Sequence, residues 1–524
     1  MPSRCPFLVL LCLSAPPLAA QDPAARLADL ALLAAYAPGR TAPTDAAVLA
    51  AEQALAKAMP RLVRDGGACA QELQRLAAER AAALVPTRQQ PVRAGDPLRR
   101  TLVRFDNERT LTTDPEHSAP HPAAAAFPGS VPDGAVAVTR SVTIDLAVPG
   151  RHSTGLYAAP GALVRCRFDG EVPKGLRVRL GAHSDNIDRR GTWPRMPRIS
   201  RTFDASGPEL AAANAFGGLV YVEVPKDRTG SLRVEIAGAV EAPWFQLGTT
   251  EPAAWRERLR ALPGPWAELG TDKVVLTVPA AAIRALDDPT AVLQFWDRVL
   301  DGAADLAGRP RERERAERYV ADLEISAGAM HSGYPIMTHL DAAADMIDLA
   351  RMQNGPWGLF HELGHNHQNR DWTFAGTGEV TVNLFSLYLC ETLCHKPWHA
   401  AWGGNVGRAK QRLPKVLAEG RLPWGGDGDG KADLSLRLLM YSQLQQQFGW
   451  DAFQQCFAAY RALPAAERPQ DEADKRDQWL VRFSRTVGRD LGGFFVAWGV
   501  PTSDAARASL ADLPAWMPAD WPDK

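Results

Sequence analysis

A chain of 524 residues is longer than one simple hydrophobic core sustains, so two or three domains are expected. Lys and Arg total 59 against 60 for Asp and Glu, a formal charge of −1, with 46% apolar residues, an ordinary globular content. That balance gives no electrostatic reason for a nucleic acid or an anionic membrane as partner.

At the N-terminus, Arg4 precedes the apolar run Pro6-Phe7-Leu8-Val9-Leu10-Leu11, which continues through Leu13 to Ala19-Ala20. A basic start, a short apolar middle and a small-residue exit are the marks of a secretory signal, assigned to residues 1–20. The expected destination is outside the cell, the periplasm or the cell surface. The run is too short to span a bilayer and no later stretch is long and apolar enough, so no transmembrane segment is expected. Removing the signal leaves Cys69, Cys166, Cys390, Cys394 and Cys456, an odd number that cannot pair completely within one chain. Cys390 and Cys394 read as buried helix thiols rather than half of a zinc site.

Residues 21–135 form an N-terminal helical region and linker. Leu27, Leu30 and Leu33, then Leu55, Met59 and Leu62, recur at helical spacing, while Pro86 to Pro132 reads as a linker or an extended wrap. From Ala135 the period changes to two: Val142, Ile144 and Leu146, then Leu176, Val178 and Leu180, then Leu232, Val234 and Ile236. Short alternating runs between Gly and Pro turns predict an antiparallel β-sandwich over 136–250. Residues 251–524 are mainly helical, with strands expected at Val274–Val278 and Tyr319–Ile325. The predicted class is multidomain α+β, a sandwich followed by a mainly helical catalytic domain.

The chemistry concentrates at His361-Glu362-Leu363-Gly364-His365. Histidines four apart turn about 400° on a helix, so both imidazoles share one face about a turn apart. Two neutral imidazoles so placed can grip one zinc ion per chain, and Glu362 then stands where a general base for hydrolysis is needed. A third ligand is required, with one position left open. Gln368 and Asp371 occupy the places where a metzincin would carry Gly and His, so that solution fails. A glutamate on the following helix is the alternative. Glu379 would lie on its first turn, with Thr377 as cap, and Asn383 on the same face could hold a ligand histidine through a hydrogen bond. Glu391 is the rival, about three turns deeper. His367 is out of phase with the pair, which fits a structural or substrate-facing role.

An oxyanion donor is usually needed beside the metal, and Tyr441 is the candidate, with Tyr388, His395 and Tyr334 as others. Trp193, Trp244 and Trp372 offer faces on which sugars stack, although tryptophan is more often a core anchor. Asp427, Asp429 and Asp433 resemble a calcium loop, but Lys431 stands where an oxygen is needed, which favours a solvated turn.

The stretch His361-Glu362-Leu363-Gly364-His365-Asn366-His367-Gln368, then Trp372, then Gly378-Glu379-Val380-Thr381-Val382-Asn383, resembles the enhancin-type metallopeptidases, family sixty of that class, which act on mucins and other glycoproteins. Fragments at Thr154–Gly161, Phe216–Tyr221, Gly238–Phe245, Met330–Met337 and Phe494–Pro501 extend the likeness over about 140–501, without the N-terminal helices. The resemblance implies His361, His365 and Glu379 as zinc ligands, Glu362 as base, and a gluzincin-like fold whose edge strand binds the substrate backbone. Ser326–Met337 is the segment expected to supply that edge, where Gly328, Ala329 and Met330 offer little bulk at its start. Trp372 is grouped with them as a substrate contact.

Together these readings predict a secreted zinc endopeptidase that cleaves glycoproteins, mucin-type O-glycosylated ones among them, and touches their glycans. The alternative is a carbohydrate- or glycoprotein-binding protein in which the sandwich carries the function; a pure binder would not need Glu362. An aminopeptidase is a weaker third, since no acidic residue is evidently placed to hold a free α-amine.

Overall fold

In the computed structural model, residues 23–420, 423–424 and 433–522 are described; the expected signal and Asp427 and Asp429 lie outside them. The N-terminal part contains helices α1 (Pro23–Ala35), α2 (Ala46–Asp65), α3 (Ala68–Glu79) and α4 (Pro97–Thr112). The periodic apolar positions meet in its interior, with Leu30, Leu33, Leu55, Met59 and Leu73 all buried. The expected linker is corrected here, because α4 lies inside it and is packed. Asp96 caps the Arg99 amide and Pro97 opens the first turn. Arg100 and Arg104 share the Glu52 carboxylate at 2.9 and 2.7 Å, which lets so polar a helix be buried. Composition alone reads such a segment as solvated.

The strands that follow are β1 (Val138–Asp145), β2 (Gly150–Ala158), β3 (Leu163–Asp169), β4 (Arg177–Leu180), β5 (Arg201–Asp204), β6 (Glu209–Ala213), β7 (Gly218–Val224) and β8 (Ser231–Glu241). Their order is β5-β4-β7-β2-β8-β3-β6, with β1 on β8, and every pairing is antiparallel. The long strand β8 joins the two halves: its first part pairs with β1 and β3, and Val240 and Glu241 pair with β2. A bulge at Gly238 makes the change of direction, and a Cβ there would lie 2.3 Å from the Leu163 carbonyl oxygen. Val164, Cys166 and Phe168 from one half meet Val178, Leu180, Val220 and Val222 from the other in a shared apolar interior.

A second sheet is built from β9 (Trp244–Gln246), β10 (Trp266–Gly270), β11 (Val274–Pro279), β12 (Glu317–Asp322), β13 (Met330–His331) and β14 (Ile336–His339), in the order β9-β10-β11-β12-β14-β13. Strands β11 and β12 were expected from their apolar pattern, and β13 falls in the segment Ser326–Met337 expected to supply an edge. The others are short, and a strand covered on both faces shows no alternation to betray it. Tyr221 from β7 donates to Glu268 at 2.9 Å, Thr277 donates at 3.0 Å, and Arg318 completes the buried cluster that ties this sheet to the strands before it.

Helix α5 (Thr290–Leu306) packs on this sheet, and α6 (Trp357–His367), α7 (Gly378–Cys394), α8 (Asn405–Ala418), α9 (Leu434–Arg461) and α10 (Glu472–Val487) follow. Where α6 crosses α7, a Cβ on Gly364 would stand 3.0 Å from Phe385 and Val382, so glycine sets their separation. Asp433 accepts from the Ser435 and Leu436 amides as the cap of α9 and pairs with Arg412, which accounts for its acid without a cation. Among the described residues no helix is long and apolar enough to cross a membrane.

Candidate metal centre

Helices α6 and α7 bring three side chains to one point. Nε2 of His361 lies 3.1 Å from Nε2 of His365 and 3.1 Å from Glu379 Oε2, and His365 Nε2 lies 3.5 Å from Glu379 Oε1. Ligand atoms about 2.0–2.1 Å from one ion at tetrahedral angles sit about 3.3–3.4 Å apart, so the spacing fits a single small cation. Among the described residues this is the one His/Cys/Asp/Glu cluster with ligand atoms mutually close enough to hold a metal ion.

The far nitrogen of each imidazole is also held. His361 Nδ1 lies 2.7 Å from Asn383 Oδ1, and His365 Nδ1 lies 2.8 Å from Gln368 Oε1. An amide oxygen accepts, so each ring carries its proton on Nδ1 and turns the Nε2 lone pair to the centre. Asn383 was expected. Gln368 was not assigned this role, although its place three residues after His365 on the same helical face was a usable signal. Its amide nitrogen donates to the Gly378 carbonyl at 2.8 Å and to Thr381 Oγ1 at 2.9 Å, tying the end of α6 to the start of α7. Thr377 stands at the cap position of α7 but does not cap it; its hydroxyl turns back to the Phe374 carbonyl.

Glu362 is buried beside the cluster, and burial pushes its carboxyl above the usual range although His361 and His365 pull it down. When no metal is bound and the Nε2 atoms carry protons instead, the two imidazoles, His361 first, hold Glu379 far below it. A carboxylate that keeps its charge beside one that binds a proton more readily divides the tasks of ligand and base.

The rival residues are placed elsewhere. Glu391 accepts from Trp450 Nε1 at 2.8 Å and Gln445 Nε2 at 3.2 Å, away from the imidazoles. His367 donates through Nδ1 to the Leu363 carbonyl and accepts from Arg313; fully buried, it is pushed down to about 3 and stays neutral. Tyr441 is corrected as an oxyanion donor: its ring is wholly buried and stacked on Trp479 at 5.9 Å. Trp372 is corrected as a substrate contact, since it is buried and stacked on Phe457 at 4.1 Å. Trp193 is likewise buried, under the Arg100 guanidinium. Tyr388 accepts from Gln454, Tyr334 accepts from the Arg151 amide, and His395 ends α7 at the opposite end from Glu379. Aromatic residues with an apolar body fill cores wherever tertiary packing offers a pocket, which local sequence does not reveal.

The expected edge segment does lie at a sheet edge. Strand β13 is the last of its sheet, and Met330 Sδ is 3.1 Å from where a Cβ on Gly358, in the first turn of α6, would stand. Gly328 adopts φ +62, and a Cβ there would lie 2.7 Å from the Met330 carbonyl oxygen.

Two family models match: residues 238–499 that of peptidase M60, enhancin and enhancin-like, and residues 134–237 that of the N-terminal domain of M60-like peptidases. Among curated proteins, TRPM8 channel-associated factor 2 of Bos taurus is 39% identical over 368 residues, which cover 70% of this chain and 40% of that protein. The chain thus spans about 40% of the length of the curated relatives it matches. A functionally unknown conserved protein of Bacillus anthracis superposes with TM-score 0.59 at 22% identity, over 72% of this chain and 80% of that one. The IMPa metallopeptidase of Pseudomonas aeruginosa gives TM-score 0.58 at 18% identity, over 92% of this chain and 64% of that one, and has also been solved in complex with an O-glycopeptide. The 92% coverage reaches into the N-terminal helices, where no family resemblance was read from sequence. With one model spanning half its length and the paired helices of the metal centre inside the match, the chain belongs to the peptidase M60, enhancin and enhancin-like, family.

Proposed function

We propose that this protein is an exported zinc endopeptidase that hydrolyses peptide bonds in glycoproteins, including mucin-type O-glycosylated ones. The carrying observation is the convergence of His361, His365 and Glu379 with Glu362 buried beside them. Two nitrogens and one carboxylate are the donor set of catalytic zinc sites that keep a fourth position open. A zinc ion bound there supplies Lewis acidity, polarising a carbonyl and acidifying water. Glu362 takes the proton from the attacking water as its oxygen bonds to the scissile carbon, then returns a proton to the departing amine. Asn383 and Gln368 keep the imidazoles oriented meanwhile. The edge Gly328-Ala329-Met330 receives the substrate backbone through main-chain hydrogen bonds. The glycoprotein preference draws on family membership and on the O-glycopeptide complex of the Pseudomonas protein. The strand-rich part, expected as a sandwich over 136–250, is read as a support that gives Trp244–Gln246 to the second sheet of the catalytic part, 251–524, and export rests on residues 1–20.

A second reading, a glycoprotein-binding protein without peptidase activity, draws on curated relatives named for association with a channel. One experiment separates the two. Purified protein is incubated with glycosylated and deglycosylated mucin-type substrates, with and without a chelator, and new termini are mapped by mass spectrometry beside the Glu362→Ala variant. Chelator-sensitive cleavage lost in the variant supports the peptidase. Cleavage that survives the substitution removes Glu362 as base, and none in the native protein favours the binder.

A further inference from the structure

Strand β13 is too short to hold itself in place. Among the described residues its two residues pair only with Thr338 and Met337 of β14, and the turn before it is Ser326-Ala327-Gly328-Ala329, small residues with Gly328 in the left-handed region. Asp185, from the loop after β4, grips this turn at both ends. Its Oδ2 accepts from the Ser326 amide at 2.6 Å and from His331 Nε2 at 2.8 Å. His331 Nδ1 donates to the Ser332 carbonyl at 3.0 Å, so both ring nitrogens face acceptors.

Asp185 is itself anchored. Its carbonyl accepts from Arg195 at 3.2 Å, and Arg195 forms a two-point pair with Asp322 at 2.7 and 2.8 Å. Both side chains of that pair are fully buried, and Arg195 also donates to the Glu324 carbonyl at 3.0 Å. Asp322 closes β12, the neighbour of β14. A continuous set of contacts therefore runs from the centre of the second sheet, through a loop of the strand-rich part, to both ends of the turn that leads into the edge. Met330 lies against Gly358 in the first turn of α6, so this turn borders the helix that carries His361, Glu362 and His365.

We propose that Asp185 is a positioning residue that sets the peptide-binding edge Ser326–His331 against the metal centre, acting through the Ser326 amide and the His331 ring. The inference rests on the peptidase reading for its consequence in turnover, but the hold on the edge is independent of it. A charge-assisted contact at each end of a small-residue turn fixes the direction of the main-chain groups that meet a substrate. Misplacing such groups by about 1 Å is enough to weaken productive binding.

The test compares the full-length native protein with Asp185→Ala, Asp185→Asn and His331→Gln. Asp185→Ala is expected to raise KM for an extended glycopeptide roughly tenfold while kcat changes far less, as loss of uniform binding does. Asp185→Asn keeps an oxygen that accepts from both donors and should restore most of the affinity. Hydrogen exchange should quicken over 326–331 in Asp185→Ala, with α6 exchange and zinc content unchanged. An unchanged KM, an equal fall in kcat and kcat/KM, or unaltered exchange at 326–331 overturns the proposal. If Asp185→Ala does not fold, Asp185→Asn and His331→Gln are scored by the same readouts, with a smaller rise in KM expected. If the native protein cleaves nothing, the peptidase reading fails, while exchange at 326–331 still decides whether Asp185 holds the edge.

Discussion

Asn383 reaches in two directions at once: its Oδ1 lies 2.7 Å from His361 Nδ1, and its Nδ2 donates to the Glu379 carbonyl at 2.8 Å. One amide thus couples the orientation of a ligand on α6 to the turn that carries the ligand on α7. Gln368 does the same for His365 and the start of α7 from the other side.

This coupling predicts the effect of deleting either amide. Asn383→Ala and Gln368→Ala should each lower zinc affinity about 10–100-fold without abolishing it, measured by competition with a chromophoric chelator. Equal affinity in variant and native protein would show that the imidazoles are oriented by something else.

Metal should also stabilise the fold through the same three ligands. At a hundredfold excess over Kd, a cation bound only to the native state adds about 2.7 kcal/mol. Thermal unfolding with and without added zinc should show that shift in the native protein and lose it in Glu379→Ala. A shift of equal size in the variant would place the cation elsewhere.

His183 makes stability sensitive to acid. Its ring is buried between Phe127 and Trp266, at centroid distances of 4.8 and 4.4 Å, and burial takes its pKa from 6.5 to about 4. The native state therefore binds fewer protons here than the unfolded chain between those values. Stability is full above pH 6.5 and is lost as pH falls through about 4, by about 3 kcal/mol at most. Urea midpoints at pH 7 and pH 4.5 should drop less for His183→Phe than for the native protein. Equal drops would exclude His183 as a cause.

The buried aromatics should behave as core, not as substrate contacts. Trp372→Ala should cost about 3–5 kcal/mol of stability, whereas Trp372→Phe should leave KM for a glycopeptide unchanged. Tyr441→Phe removes a hydroxyl sealed in the core beside Trp479 and should leave kcat unaffected. A large fall in kcat for Tyr441→Phe, with stability intact, would return that residue to the reaction.

Much of the candidate site was legible because it is local. His361, Glu362 and His365 lie within five consecutive residues, so the helical repeat alone decides that the two imidazoles share a face. Glu379 and Asn383 required one further step, that the next helix starts just before them. The alternating strands from Val142 to Ile236 were legible for a similar reason, since one apolar face imposes a period of two. Helix α4 was not, because Arg100 is buried and Arg104 half-buried through pairing with Glu52, far off in the chain, and composition does not reveal a partner.

The sequence by itself determined which residues can ligate a metal and on which helical face they stand, because backbone geometry links neighbours over a few residues whatever the rest of the chain does. Tertiary structure alone decided which aromatic rings are sealed into the core, that Glu391 turns to Trp450, and that Asp185 meets Ser326 and His331 across more than 140 positions. Contacts of that span depend on how whole sheets and helices pack, and no local spacing encodes them.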